Sequence, residues 1–355
     1  MGLSAMSSNR IKLRSARAQV IEWPTLALAG CIYGGWLAIT YFHESVPWWF
    51  LYPAGAWLVA WQSSLQHEIL HGHPTRWRRF NRLLALPSLS LWLPYESYRV
   101  AHLTHHRDER LTDPLDDPES YYWTQGLWAS LNRVWYPVLR LQTTLAGRLL
   151  IGPAWIVPRF LVKQVHALHQ GSPVARRAWR SHLLPLALVL FWLVVICKMS
   201  LFAYVFGIAY PAASLMLLRS FAEHRAAHEV YERTAIVENA PVLGLLYLHN
   251  NLHAAHHELP TLAWYEIPAW YRANRERLIK DNGGLVYDGY LDVARRYLFN
   301  PHDGLLHPSD RAPLPPHLFT MADLGGWKTV NKTLYGPGGV WDSLFTHRAQ
   351  AGARP

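Results

Sequence analysis

Cysteine is nearly absent from this 355-residue chain: Cys31 and Cys197 are the only two, and both sit inside apolar runs. That excludes a disulfide framework, and it excludes an iron–sulfur or rubredoxin-type module made from the chain's own thiols. Charge is scarce as well. Asp, Glu, Lys and Arg make up 16% of the residues, against about 25% in an ordinary soluble domain. The net charge is +10, yet the cations are not gathered into a block of the kind that binds nucleic acid, so no nucleic-acid partner is expected. The sequence holds no internal repeat and no low-complexity run, and no small-residue cleavage site follows its first apolar run.

What the chain has instead is apolar and aromatic length. It is 51% hydrophobic and carries 18 Trp and 18 Tyr, rings that collect at bilayer interfaces. Four runs approach the roughly 20 residues that cross a bilayer: Pro24–Phe42, Pro47–Gln66, Leu183–Cys197 and Leu201–Leu218. The third is short and needs tilt, local thinning or a helical extension through Ala178. The run Leu83–Tyr95 is shorter still, carries two prolines, and reads as re-entrant or interfacial. The long runs pair into two hairpins through His43–Val46 and Lys198–Ser200, and of 34 Lys and Arg only Lys198 lies in either link.

Cations collect on the cytoplasmic side. The expected protein is therefore all-α and integral to the cell membrane, with about four transmembrane helices in two hairpins, both termini cytoplasmic, and a cytosolic helical cap. Residues 1–23 read as a cytosolic N-terminal segment, 24–299 as the membrane-embedded domain with its cap, and 300–355 as an irregular cytosolic tail rich in Pro, Gly and His. Arg133, Arg140 and Arg148 recur at helical spacing among Trp135, Leu139 and Leu145. That pattern suggests an amphipathic helix on the membrane surface, broken at Pro137 and Pro153, or an ordinary solvated helix.

Histidine is abundant, 20 in all, and clustered. The first box is His67-Glu-Ile-Leu-His71-Gly-His73, the second His102-Leu-Thr-His105-His106, and the third His253-Ala-Ala-His256-His257. His224 stands alone after the fourth run. Residues i, i+3 and i+4 share one helix face, so the histidines of each box project together. Imidazole suits iron, and helices hold several ligands converging on one point. A set of His67, His71, His102, His105, His106, His224, His253, His256 and His257 is too large for one metal and right for two. His228 lies four residues after His224, and the two assignments are exchangeable on this reading. Glu68, His73, His228, His249 and Asn250 are expected behind the ligands, bonded to them directly or through water.

The order HxxxH, HxxHH, isolated His, HxxHH over Trp48–Leu259 resembles the membrane fatty acid desaturase superfamily, which includes acyl desaturases, alkane hydroxylases and carotenoid ketolases and hydroxylases. The stretch Asp113-Pro-Leu-Asp-Asp-Pro-Glu119 resembles the acidic follow-on of several branches, and Glu223-His224 resembles the isolated ligand of the alkane hydroxylase branch. The resemblance implies two iron ions, dioxygen as co-substrate, and two electrons from an external carrier such as a ferredoxin or rubredoxin with its reductase. The chain departs from some relatives in having no His-Pro-Gly-Gly signature of a fused cytochrome b5. A lipid substrate is expected from the bilayer. Acyl desaturation leads, with alkyl, fatty acid or terpenoid hydroxylation or ketolation as the alternative. An acidic carrier is expected to dock over Arg272, Arg275 and Arg277.

Two rivals come from other classes. The first box is a literal HExxH, the signature of zinc proteases in which the Glu is general base. That reading leaves two HxxHH boxes unexplained, and it lacks a third carboxylate ligand, because none of the four runs contains Asp or Glu. A metal transporter or haem-binding protein would place its ionisable groups at the membrane midplane, whereas these histidines lie at the ends of the runs. Metal analysis of the purified protein separates the readings: about two irons per chain are expected, and a single zinc would return the protease reading.

Overall fold

The structure, a computed structural model, describes residues 21–106 and 111–308. The expected N-terminal segment up to residue 20 and the tail beyond 308 lie outside the described residues. The chain is mostly helical. Helix α1 (Trp23–Tyr41) starts with Pro24 in its first turn, where a missing N–H costs nothing. It returns through residues 42–47 into α2 (Trp48–Leu70). Then come α3 (Arg78–Ala85), α4 (Tyr95–His105) and, after short helical turns, α5 (Leu145–His169). Helices α6 (Pro173–Ile196) and α7 (Leu201–Glu223) form a second hairpin, and each contains a π-turn. The chain closes with α8 (His253–Glu258), α9 (Ile267–Asp281) and α10 (Gly289–Tyr297). The departure from an all-helical fold is a short parallel ladder, β1 (Ile236–Val237) on β2 (Val286–Tyr287), which ties the segment before α8 to the segment before α10.

Helices α1, α2, α6 and α7 share one core, in which Trp36, Ala60, Leu193, Tyr204 and Ile208 are buried. At the end away from the histidines, the Trp192 indole N–H donates to Thr40 Oγ1 at 2.9 Å. Midway, the Trp36 indole N–H donates to the Tyr204 hydroxyl at 2.9 Å, and that hydroxyl donates to the Leu89 carbonyl at 2.7 Å. Two glycines let α2 and α7 approach. A Cβ on Gly55 would sit 2.7 Å from Ile208, and one on Gly207 2.4 Å from Tyr52. The expected interfacial run Leu83–Tyr95 is the end of α3 followed by irregular chain. Its carbonyls are answered from α2, where the Gln62 amide donates to Pro87 O at 2.6 Å and the Gln66 amide to Ala85 O at 2.8 Å. Buried irregular backbone needs such partners.

Among the described residues, α5, α6 and α7 are long and apolar enough to cross a membrane. Helix α6 reaches from Pro173 to Ile196, which supplies the extension that Leu183–Cys197 needed. Helices α1 and α2 stand where spans were expected but fall outside those three: glycines and aromatic rings dilute α1, and Gln62, Ser63, Ser64 and Gln66 dilute α2. The expected break at Pro153 does not occur, because α5 runs through both Pro153 and Pro158. Pro153 has no N–H for the Leu149 carbonyl, and Ser214 Oγ on α7 donates to that carbonyl instead, at 2.7 Å. The three arginines do not share a face either. Arg133 and Arg140 are exposed on separate short turns, while Arg148 is buried in α5. Residues 300–308, placed by sequence in the irregular tail, are tied down, since the His302 N–H donates to Thr143 O and the His307 N–H to Trp123 O.

Both ends of α5 touch elements that carry or flank the histidines. The Ala146 N–H donates to Leu298 O at 3.0 Å, and Gln164 accepts from Ser97 on α4 and from the Trp179 indole near the start of α6. A helix lying along the membrane surface does this, whereas a crossing helix carries its two ends to opposite sides. A reporter fused at Gly171, between α5 and α6, is therefore expected to report the cytoplasm. A periplasmic signal there would mean that α5 crosses, and the surface placement would be wrong.

Candidate metal centre

The boxes lie at helix ends. His67 is in the last turn of α2 and His71 caps it. His102 and His105 occupy the last turn of α4, and His106 caps that helix. His253, His256 and His257 lie on α8. His224 leaves α7 with extended backbone, φ −137° and ψ 147°. The fold brings all nine together in two groups, with ligand atoms in each within 4.8 Å of one another. One group is His67, His71, His102, His106 and His256; the other is His105, His224, His253 and His257. The groups adjoin, since the rings of His106 and His257 stack with centroids 4.4 Å apart.

The nitrogens face each other at close range. Nε2 of His224 is 3.0 Å from that of His105 and 2.9 Å from that of His253. In the other group Nε2 of His106 is 2.9 Å from that of His102 and 3.0 Å from that of His256. The outer nitrogens fix where the protons are. His224 Nδ1 meets the Arg233 carbonyl at 3.1 Å, His253 Nδ1 meets Asn250 Oδ1 at 3.1 Å, and His105 Nδ1 meets Asp117 at 3.0 Å. His102 Nδ1 meets Glu119 at 3.1 Å. Each partner only accepts, so each Nδ1 must donate, and a neutral ring then has a bare lone pair on Nε2. Lone pairs converging at 2.9–3.0 Å repel unless a proton or a metal ion lies between them.

A pair of metal ions fits this arrangement. A metal–imidazole bond is about 2.1 Å, so nitrogens at right angles on one ion lie about 3.0 Å apart and tetrahedral neighbours about 3.4 Å apart. The observed spacings match the right-angled case, and five imidazoles in one group exceed the four ligands of a structural zinc. Nε2 of His67 and of His71 is buried without a hydrogen-bond partner, which is costly for a polar atom that holds no metal. Burial first, then the neighbouring imidazoles, holds protonation of His102, His253, His256 and His257 well below the usual histidine range, so these rings are neutral and ready to ligate. His105 is the exception. Burial lowers it, but Asp117, aided by Glu119, overrides burial and pushes it up to about 9. Asp117 thus makes His105 the most basic donor of its group. The carboxylate is itself held by the backbone N–H groups of Thr112 (2.8 Å) and Glu119 (2.9 Å).

Several expected supporting residues lie elsewhere. Asn250 does touch a box histidine: it bonds His253, and its amide also donates to Glu223 at 3.1 Å. His228 is exposed and outside both groups; α7 ends at Glu223, so His224 and His228 share no helix face and are not interchangeable. His249 turns away and stacks its ring on Trp264. Glu68 and His73 form a third group with Glu22. His73 Nδ1 donates to Glu22 at 2.7 Å, and Glu68 accepts the Trp264 N–H at 3.0 Å. That removes Glu68 from the general-base position of a zinc protease. At the expected docking face, Arg275 is bidentate to Glu238 (2.6 and 2.8 Å), and Arg277 bonds Glu258 and Asp281, which neutralises much of the patch.

Sequence reasoning gave no role to Asp117, Glu119, Glu223 or the Arg233 carbonyl. The signal for the first two was the acidic run after the second box. No local signal marks a carbonyl nine residues beyond its histidine.

The family model for fatty acid desaturase matches residues 44–289 of the chain. No curated protein matches it significantly.

Replacing Asp117 by Asn keeps the shape and removes the charge behind His105. Metal affinity of the four-histidine group is expected to fall about 10- to 100-fold, measured as the metal lost to a graded chelator, while the five-histidine group keeps its ion. Identical retention by variant and parent would show that Asp117 does not support the ligand.

Proposed function

The chain belongs to the membrane fatty acid desaturase superfamily, and from that premise we propose that it is an oxygen-dependent, non-haem di-iron oxidoreductase acting on an unactivated C–H bond of a lipid substrate, foremost as a fatty acyl desaturase. The observation that carries this reading is the two adjoining all-imidazole groups, each with Nε2 atoms at the spacing of a coordination shell. Neither group contains a carboxylate.

His67, His71, His102, His106 and His256 would hold one iron, and His105, His224, His253 and His257 the other. Iron bound there would supply dioxygen activation and removal of hydrogen from the alkyl chain. The chain's own residues set the conditions. Asp117, Glu119, Asn250 and the Arg233 carbonyl hold the Nδ1 protons of His105, His102, His253 and His224, so the Nε2 atoms of these four rings are presented inward. Glu223, paired with Arg219 at 2.9 Å, steadies Asn250 and lies 3.3 Å from His253. Burial of most of the rings limits access of bulk water. Dioxygen takes up four electrons in becoming two waters. Desaturation supplies two with the two hydrogens removed, and an external donor supplies the others. The two cysteines lie on α1 and at the end of α6, away from the histidines, so a ferredoxin or rubredoxin with its reductase is needed, docking on the cytoplasmic face, where Arg272 is exposed while Arg275 and Arg277 already pair with carboxylates. The proposed setting is the cell membrane, with α1, α2, α6 and α7 as four spans and the histidine-bearing helix ends and cap in the cytoplasm.

Expression with a reductase and ferredoxin, mixed lipid candidates and mass spectrometry of the products tests the reading. Loss of two hydrogens is the expected result. Gain of one oxygen would make the protein a hydroxylase of the same superfamily. His102→Ala, His224→Ala and His256→Ala should each abolish turnover while membrane insertion persists, and full activity in any of them would remove that histidine from the ligand set.

A further inference from the structure

Arg148 is a buried cation without a counter-charge. Its side chain is 6% exposed. Nε donates to the Gln142 carbonyl at 3.0 Å, and the guanidinium lies over the Tyr121 ring, 4.0 Å from its centroid. Nη1 has no hydrogen-bond partner, and no carboxylate among the described residues forms an ion pair with it. The other buried arginines differ. Arg219 pairs with Glu223, and Arg233 spends its donors on the carbonyls of Ala227, His228 and Leu111. A buried charge without a partner is costly, and an anionic ligand at Nη1 would offset that cost.

Arg148 lines a half-open cavity of about 30 Å³ whose wall also includes His224 of the four-histidine group. The cavity is half-open, so it admits a carboxylate group beside Arg148 while the remainder of the occupant extends beyond it. Phe221 and Tyr121 give the cavity apolar walls, so an occupant with an anionic tip and a hydrocarbon body suits it. Thr143, one residue before the Thr144 N-cap of the 25-residue α5, lines the cavity as well. Asp303 also lines the cavity, but its oxygens are engaged by the Tyr122 hydroxyl and by His302 Nδ1, the latter at 3.1 Å.

We propose that Arg148 binds the carboxylate of a free fatty acid in this cavity, so that the substrate is held as the acid rather than as an ester or thioester. The inference rests on the acyl-lipid reading above and narrows it. The same chemistry could draw in a small free carboxylate, and the test separates the two sources.

Equilibrium binding to the iron-loaded protein in detergent is measured for hexadecanoic acid, its methyl ester and acetate. The unmodified protein is expected to bind the acid at least tenfold more tightly than the ester, with acetate displacing the acid only weakly. Arg148→Gln should lose that preference by weakening the acid alone, and Arg148→Lys should keep part of it. Equal binding of acid and ester, a preference that survives in Arg148→Gln, or acetate competing as strongly as the long acid would each overturn the proposal. If Arg148→Gln does not fold, the acid-to-ester ratio of the unmodified protein still decides. A protein that binds iron and oxidises the ester as well as the acid would refute this inference and leave the oxidoreductase reading intact.

Discussion

The structure depends on one electrostatic constraint: bare imidazole lone pairs forced to face each other. A carbonyl, an amide oxygen and two carboxylates each claim an Nδ1 proton, and the opposite nitrogens are left pointing at their neighbours 2.9–3.0 Å away. Most of the rings are buried and the rest half-buried, so little water can intervene to relieve the repulsion. Such an arrangement is stable only around positive charge. The surrounding fold is built to keep the lone pairs converging.

That need accounts for the helical framework. A histidine at the end of a helix can project beyond the bundle while its backbone stays hydrogen-bonded, and α2, α4, α7 and α8 all deliver their histidines this way. The bundle must then be rigid. Close approach at Gly55 and Gly207 and the buried Trp36–Tyr204–Leu89 chain of hydrogen bonds fix α1, α2 and α7 against one another. The small β1–β2 ladder anchors the segments around α8. Where the backbone departs from helix near the site, side chains supply the missing partners, as Gln62 and Gln66 do for the stretch after α3.

The electrostatics around the two groups differ. Imidazoles pressed among other imidazoles stay neutral, whereas His105 has a buried carboxylate behind it and becomes basic. The four-histidine group thus has one strongly donating ligand and lies beside a cavity holding an unpaired guanidinium. The five-histidine group has two rings, His67 and His71, whose Nε2 atoms find no protein partner. Two sites made of the same side chain are therefore chemically distinct: Asp117 makes one ring of the four-histidine group basic, whereas His102 stays neutral despite Glu119 behind it.

The sequence by itself determined the helical class, the membrane family and the histidines that come together, because apolar length and the i, i+3, i+4 spacing are local and survive any tertiary arrangement. It could not sort nine equivalent imidazoles into groups of five and four. His105 and His106 are adjacent in the chain yet fall in different groups, a division decided by how α4 meets α7 and α8. It placed His228 on a helix that in fact stops at Glu223, and it broke a helix at Pro153 because the hydroxyl answering the freed carbonyl comes from Ser214, 65 residues away. It read Arg148 as one of three surface cations, although packing buries that side chain alone. Spacing determines what a residue can reach along its own helix; only the packing of distant helices decides which protons, charges and cavities it meets there.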